Sequence, residues 1–271
     1  MAAINTALPM VKGYKIRATR VSRCGLPIPG EGNVFVTDGF IEFGLERETS
    51  DGDEIEVKNA QGAVCISDRT EDQFKRYNIT LQLCGVHPEF VSMFTGQPLV
   101  LDENGDAAGI LQQTGGNDDA GVALEVWIGT GGGDDCVVPE SDDIFDTVQD
   151  GEQAWEGWYL LLPWVRGGVL GDFTINGTDS ADITITGYTG AGPRWGRGPY
   201  EVVAGADGEA QRLLAPIPAR THSLMQHTTV APPENTAGPQ ELTIPQPYFS
   251  ASEVTEPDTD IGGGTDGETD A

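Results

Sequence analysis

Apolar and polar residues alternate with a period of two along much of the chain. In "YNITLQL" (77–83), Tyr77 and every second residue after it are apolar or aromatic, and the residues between them are polar. The same alternation recurs in residues 41–46, 54–58, 122–128 and 181–188. Because successive side chains of a strand point to opposite faces, each stretch predicts a half-buried strand. The chain is therefore predicted to be mostly β.

Turn signals separate these stretches. They are "TDG" before Phe40, "SDGD" before Glu54, "ENGD" at 103–106 and "GADGE" at 205–209. Such Asn/Asp–Gly segments are typical of tight hairpin turns, so the strands are predicted to pair antiparallel.

One short helix is predicted over about residues 88–95. In "GVHPEFVSMFTGQP" (85–98), Pro88 suits the first helical position, Glu89 the positively polarised first turn, and Gly96 the C-terminal stop. Its apolar face should cover one side of the β core.

An aromatic, nearly continuous apolar stretch, "GWYLLLPWVRGGVLG" (157–171), stands out from the alternating strands. It indicates a strand buried on both faces or one that lies against a neighbouring subunit. Tryptophans in such a chain serve as core or interface residues, or alternatively as a sugar-stacking platform. The residues concerned are Trp155, Trp158, Trp164 and Trp195.

The composition makes some classes of function improbable for this chain. The 271 residues include 15 Lys and Arg against 43 Asp and Glu, a net charge of −28 that repels nucleic-acid phosphates and acidic membrane surfaces. Neither a secretory signal nor a run of about 20 apolar residues is present, so a soluble protein made in a cytoplasm is expected. Buried free thiols are expected for the four separate cysteines, Cys24, Cys65, Cys84 and Cys136.

The C-terminal part changes character from Ala231 onward, where prolines, small polar residues and acids dominate and no Lys or Arg occurs. Such a segment does not fold alone. The predicted organisation is an N-terminal arm (1–12), a β domain (13–234) and an acidic extension (235–271). The extension is either a solvated tail or an arm that orders against a partner, and 240–251 is the part expected to dock.

No catalytic, metal or cofactor site is predicted. The glycine-rich "GTGGGDD" (129–135) lacks the Lys and Ser/Thr of a phosphate-binding loop, and its aspartates would repel a phosphate. The loop that begins at Asp102 has Ala107 and Gln113 where a calcium loop needs Gly and Glu. The three histidines, His87, His222 and His227, are too scattered for metal ligation.

Eight short segments follow one another in one order over roughly residues 10–234. They are "CGLPIPGEG" (24–32), "VTDGFIEF" (36–43), "DGDEIEVKNAQGAVCISD" (51–68), "LCGVHPEFVSMFTGQP" (83–98), "VALEVWIG" (122–129), "YLLLPWVRGGVLGDFTI" (159–175), "GAGPRWGRGPYEVV" (190–203) and "TTVAPPE" (228–234). Together they resemble the major tail proteins of long-tailed bacteriophages that infect actinobacteria.

The resemblance implies a fold and an assembly. Tail-tube subunits of this kind are β-sandwiches or barrels of two packed antiparallel sheets with one flanking helix, and hexameric rings of them stack into a hollow tube. A long hairpin usually reaches the adjacent ring, a role that falls here on residues 46–66. We expect Glu54, Glu56 and Lys58 to make polar contacts between rings, and Asp51 and Asp53 to form the hairpin tip.

An acidic channel would let genomic DNA pass without sticking to the wall. The predicted channel acids lie on the polar faces of strands and are Glu42, Glu46, Glu125 and Asp182. The implied partners are further copies of the chain, the tape-measure protein, the tail terminator and the baseplate or distal tail proteins. The implied location is the virion tail, assembled in the host cytoplasm.

Three other functions stay open from the residues. A secreted or surface β-sandwich module would bind carbohydrate through Trp155 to Trp164. A capsid decoration protein would expose the acidic C-terminal arm. A hydrolase would need paired carboxylates, which cannot be singled out among 43 acids.

Overall fold

The structure is a computed structural model that describes residues 10, 12–85, 87–114, 121–129, 155–171, 183–192, 194–205 and 208–250. Its elements are β1 (Lys12–Val21), β2 (Gly30–Thr37), β3 (Phe40–Ser50), β4 (Glu54–Lys58), β5 (Val64–Arg69), β6 (Gln73–Leu83), α1 (Pro88–Thr95), β7 (Leu99–Leu101), β8 (Ala107–Ile110), β9 (Gly121–Gly129), β10 (Gly157–Leu170), β11 (Ile183–Thr189), β12 (Val203–Ala204), β13 (Ala210–Gln211), β14 (Leu224–Thr228) and β15 (Gln240–Leu242).

The protein is mostly β with antiparallel pairing and a single short helix in the described residues, as the alternation predicts. Nine of the described strands form one sheet in the order β15-β2-β1-β9-β10-β11-β6-β3, with β14 paired to β10. The strands that pair outside this sheet form the two-stranded ribbons β4–β5, β7–β8 and β12–β13. The helix spans the residues that its capping signals predict.

Strand β10 joins the two halves of the sheet. Its first part pairs with β9 and β14, and its last part pairs with β11. The register with β9 shifts between Leu162 and Val165, around Pro163, whose nitrogen has no hydrogen to donate. One continuous sheet therefore curls on itself where the resemblance implies two separate packed sheets.

The first hydrophobic core lies inside this curl. Phe35 of β2 and Ile79 of β6 belong to the same buried cluster although four strands separate β2 from β6. Helix α1 packs into the cluster through Phe90, Met93 and Phe94, each at most 4% exposed. The helix is thus the cover of the core that the sequence predicts.

A glycine permits the close approach of α1 to the sheet. A Cβ atom on Gly168 of β10 would lie 2.0 Å from the carbonyl oxygen of Phe94, at the end of the helix. Only a residue without a side chain fits this contact.

A second core covers the opposite face of β1, β9 and β10. It contains Trp127, Tyr159, Trp164 and Trp195, and Val202 and Leu213 supply part of its cover. The first part of β10, residues 157–165, is thus buried on both faces within one subunit, and the part after Val165 is not. All five tryptophans lie in the described residues, and none is exposed, which favours the core interpretation over a sugar-stacking platform.

The C-terminal part is integrated further than predicted. Strand β15 pairs with β2, Leu242 is 2% exposed, and Tyr248 is 4% exposed. The Arg212 guanidinium donates hydrogen bonds to the carbonyls of Pro245 and Pro247. Residues 240–250 therefore pack on their own subunit, whereas 240–251 was expected to dock against a partner, and the folded domain extends past the predicted boundary at 234.

The expectation of buried cysteines is wrong for the described part of the chain. Cys24, Cys65 and Cys84 are free and exposed, because each lies at a turn, on a solvated ribbon or at a strand end. Cys136, the rest of the glycine-rich segment after Gly129, and residues 1–9, 11 and 251–271 lie outside the described residues.

Candidate functional site

A long two-stranded arm leaves the body of the protein. Strands β3 and β6 pair up to Ser50 and Gln73, and the ribbon β4–β5 continues beyond them. We call residues 51–72 the arm; all of them are exposed except the partly buried Gly52. About ten residues separate the root from the turn, which corresponds to a reach of roughly 30 Å at the rise of a β-strand.

The arm turns at a different place from the one predicted. The turn lies at residues 59–63, where the Asn59 amide donates to the Ala63 carbonyl and Gly62 has a φ of 84°. Asp51 and Asp53 lie instead at the joint with the body, and the Thr70 amide donates to the Asp53 carbonyl there. The "SDGD" segment thus connects two strands that run on in the same direction and is not a turn. Before it β3 pairs with β6, and after it β4 pairs with β5.

The arm is amphipathic. Glu54, Glu56 and Lys58 alternate along β4 on the polar face, and the Lys58 ammonium lies 3.3 Å from the Glu56 carboxylate. Pairing of Val57 with Ile66 and of Ile55 with Asp68 brings these four side chains together on the opposite face. We call this second set, Ile55, Val57, Ile66 and Asp68, the arm's apolar face.

The apolar face is uncovered in the subunit. Ile55 is 59% exposed, Val57 46% and Ile66 56%. A two-stranded ribbon without a packed face is at best marginally stable in water. Burial of these side chains against a partner would supply the stability that the arm lacks alone.

The root of the arm is held by charge. The Glu48 carboxylate of β3 accepts hydrogen bonds from Lys75 (2.5 Å) and Arg76 (2.6 Å) of β6. These bonds lower the pKa of Glu48 to about 2. The Arg76 guanidinium also lies 4.4 Å from the centre of the Tyr188 ring of β11.

Strands β3, β6 and β11 share one polar face. Glu42 and Glu46 pair with Gln82 and Asn78, so their side chains lie opposite the core-facing Ile79 and Leu81 of β6. Both glutamates are exposed. We call this surface the polar sheet face; its members are Glu42, Glu46, Asn78, Thr80, Gln82, Thr184 and Thr186.

Glu125 does not belong to such a face, which corrects the prediction that it lines a channel. Its side chain is buried in the second core, where the Arg17 Nε donates to its Oε2 (2.6 Å) and the Arg17 Nη2 to its Oε1 (2.7 Å). The Tyr159 hydroxyl donates to Oε1 as well (2.5 Å). Asp182, the fourth predicted channel acid, lies outside the described residues.

The surroundings shift the pKa values of Arg17 and Tyr159. Burial alone would lower the pKa of Arg17, but the Glu125 carboxylate outweighs burial and the pKa is raised. Burial, together with the same carboxylate, raises the pKa of Tyr159 well above its ordinary value, so its hydroxyl stays a donor. The Arg17 guanidinium lies 3.4 Å from the centre of the Tyr200 ring. The network therefore ties the loop that carries Tyr200 to the sheet.

The sequence contained one signal of this buried pair, since Glu125 stands between the apolar residues Ala123 and Trp127 at alternate positions of its strand. Arg17 and Glu125 lie directly opposite each other in β1 and β9. Ala123 and Trp127, which flank Glu125 on its own face, are both buried. A charged residue between apolar neighbours on one strand face indicates burial with a partner.

A groove of about 640 Å³ lies beside α1. The helix supplies Val91, Phe94 and Thr95 to its lining, and β10 supplies the segment from Arg166 to Leu170. Arg23 and Arg166 are the two basic residues of the lining, and the Arg166 guanidinium lies 4.9 Å from the centre of the Trp164 ring.

No set of three His, Cys, Asp or Glu side chains able to hold a metal ion occurs among the described residues. No helix in the same part of the chain is long and apolar enough to cross a membrane.

Comparison with known proteins gives no assignment. No protein-family model matches the chain, and no curated protein sequence matches it.

Proposed function

We propose that the protein is the subunit of a hollow bacteriophage tail tube, built from stacked hexameric rings, through which genomic DNA leaves the virion. The observation that carries the proposal is the arm, which extends roughly 30 Å by the β-strand rise and buries nothing in its own subunit. A feature of this length that is uncovered in the monomer fits a contact between subunits. The ordered resemblance of the eight sequence segments to major tail proteins supports the same conclusion.

The arm carries the contact between successive rings. Glu54, Glu56 and Lys58 supply its polar contacts, and the arm's apolar face supplies buried area. The ion pairs of Glu48 with Lys75 and Arg76 hold its root on the body.

The polar sheet face forms the channel wall. Glu42 and Glu46 place negative charge there among hydroxyl and amide side chains. Charges act over a Debye length of about 8 Å at physiological ionic strength. DNA in the channel therefore meets repulsion at the wall and no binding site.

Strand edges supply the contacts within a ring. Strand β3, with 11 residues, ends the path of the sheet. Exposed edges of this length pair readily with strands of another chain. Pairing around a closed ring leaves no edge free.

The further partners are the tape-measure protein inside the channel, the tail terminator, and the baseplate or distal tail proteins. The protein then belongs to the virion tail and assembles in the host cytoplasm. Its role is structural, without an enzymatic step or a cofactor.

Electron microscopy of the purified protein in negative stain, with light scattering at several concentrations and salt levels, tests the proposal. Rings or tubes with an open channel are expected. A strictly monomeric particle under all conditions, even with a tail initiator added, would contradict the proposal and favour a carbohydrate-binding module.

A further inference from the structure

We infer that the arm of one copy inserts its apolar face into the groove beside α1 of a second copy. This inference rests on the proposed function and names the surface that receives the arm. It assigns the contact to the apolar face, whereas the sequence pointed to the polar residues of the arm.

The inserted surface is small and well defined. Ile55, Val57 and Ile66 lie side by side on the ribbon, and each is at least 46% exposed. Asp68 lies on the same face, opposite Ile55. The surface thus presents three branched apolar side chains with one carboxylate at the end nearer the body.

The receiving surface has the matching composition. Ile110 and Leu170 are half-buried apolar residues of the lining, whereas Val91 and Phe94 are only 1% and 4% exposed. Arg23 and Arg166 add positive charge, and Gln97, Gln112 and Gln113 make part of the lining polar. Two further apolar side chains, Val169 in the wall and Leu111 next to the lining residues, are 59% and 48% exposed. A groove with exposed apolar walls gains from a partner that covers them.

Charge complementarity identifies the occupant as another copy of this chain. The net charge of −28 leaves few basic surfaces, and this groove has two arginines. The arm has seven acids (Asp51, Asp53, Glu54, Glu56, Asp68, Glu71 and Asp72) against Lys58 and Arg69. Opposite charge across an interface favours the correct partner and its orientation.

The arm does not occupy its own groove. No arm residue lines the groove, and the arm's apolar face is exposed in the subunit. Insertion between copies is head-to-tail, since the arm and the groove are different surfaces. Such contacts propagate from one ring to the next without limit, as a tube requires.

Cross-linking of two native cysteines tests the contact. Cys65 lies on the arm next to Ile66, and Cys24 lies next to Arg23 at the groove; both are exposed. In a Cys84→Ser/Cys136→Ser background, a short bis-maleimide is expected to join Cys65 of one copy to Cys24 of another in the assembled protein. Mass spectrometry of the cross-linked peptides identifies the pair, and Cys24→Ser is expected to abolish it.

Charge exchange is the second test. Asp68→Arg and Arg166→Asp are each expected to slow assembly, followed by light scattering, on the order of tenfold or more. The two changes in one chain, or an equal mixture of the two single variants, should restore assembly. Arg23→Asp replaces Arg166→Asp if the latter does not fold, as judged by circular dichroism of the monomer.

The outcomes separate the two proposals. Tubes without the Cys65–Cys24 cross-link, and no restoration by charge exchange, would overturn the groove assignment and leave the tail-tube function standing. Absence of any assembly or cross-link would overturn both.

Discussion

The guanidinium of Arg17 and the carboxylate of Glu125 face each other across β1 and β9, with the Arg17 Nε 2.6 Å from the Glu125 Oε2. The two residues are 7% and 0% exposed. Because both charges have left water, each depends on the other for its stabilisation. The pair also orients Tyr159 and Tyr200, so it links the sheet to the loops of the second core.

Glu125→Gln should lower the free energy of unfolding by about 3–5 kcal/mol, because the Arg17 charge then remains buried without its partner. Urea denaturation followed by tryptophan fluorescence measures the loss. The matched control is the double variant Arg17→Met/Glu125→Leu, which should lose less than Glu125→Gln does, because no buried charge is left. A loss below about 1 kcal/mol in Glu125→Gln would show that the pair is not buried as described.

Gly168→Ala should destabilise the protein by about 1–3 kcal/mol, the usual cost of overpacking. The added Cβ would lie 2.0 Å from the Phe94 carbonyl oxygen, so α1 must move away from β10. Thermal unfolding measures the effect. Gly44→Ala is the control, since its Cβ would meet Thr80 atoms at an ordinary 3.7 Å and should change stability little. Equal stability of the two variants would contradict the close approach.

Glu42→Lys combined with Glu46→Lys should leave tubes intact and slow DNA ejection, because lysines on the polar sheet face attract phosphates. Retention of DNA by the variant tubes should weaken with salt, with a log–log slope of about −0.9 for each phosphate contact. Glu103→Lys, at the exposed turn between β7 and β8, is the control for the added charge. Normal DNA ejection by the double variant would show that these two glutamates do not line the channel.

Glu48 should stay ionised to unusually low pH. Its pKa of about 2 in the folded protein lies below the ordinary value of 4.5, owing to the bonds from Lys75 and Arg76. The favourable contribution of the ionised Glu48 is therefore complete above pH 4.5 and is lost as the pH falls towards 2. Titration of the Glu48 carboxyl carbon by NMR measures the midpoint.

The variant Lys75→Gln/Arg76→Gln is the control for this titration, and its Glu48 midpoint should rise towards 4.5. A midpoint that is the same in both proteins would show that the two cations do not set the pKa.

Much of the fold was predictable from local pattern. The alternation in 77–83 predicted a strand with Tyr77, Ile79, Leu81 and Leu83 on one face; the last three are buried and Tyr77 is half-buried. Pro88 and Gly96 predicted both ends of α1. Exposed Glu42 and Glu46 also follow from the alternation of β3. These features depend on residues close together in the chain, so periodicity and capping signals suffice for them.

The position of Glu125 was not predictable in this way. Glu125 lies on a strand whose other residues are apolar. Whether the strand face that carries Glu125 meets water depends on Tyr200 and other residues that are distant in the sequence. The same holds for residues 235–250, whose polar composition indicates an extension until β2 offers β15 an edge to pair with. The sequence likewise gives the composition of the arm and of the groove, but it does not give their positions in space.

Periodicity, capping signals and composition were enough to predict the β class, the strand faces, the helix with its ends, and the acidity of the chain, because these are local or summed properties. Three features are visible only in the folded chain: which strands are buried on both faces, where the arm turns, and the position of a groove with two arginines beside α1. Those properties arise from contacts between distant segments. The free energy of such contacts depends on what covers a surface, which no single stretch of sequence contains.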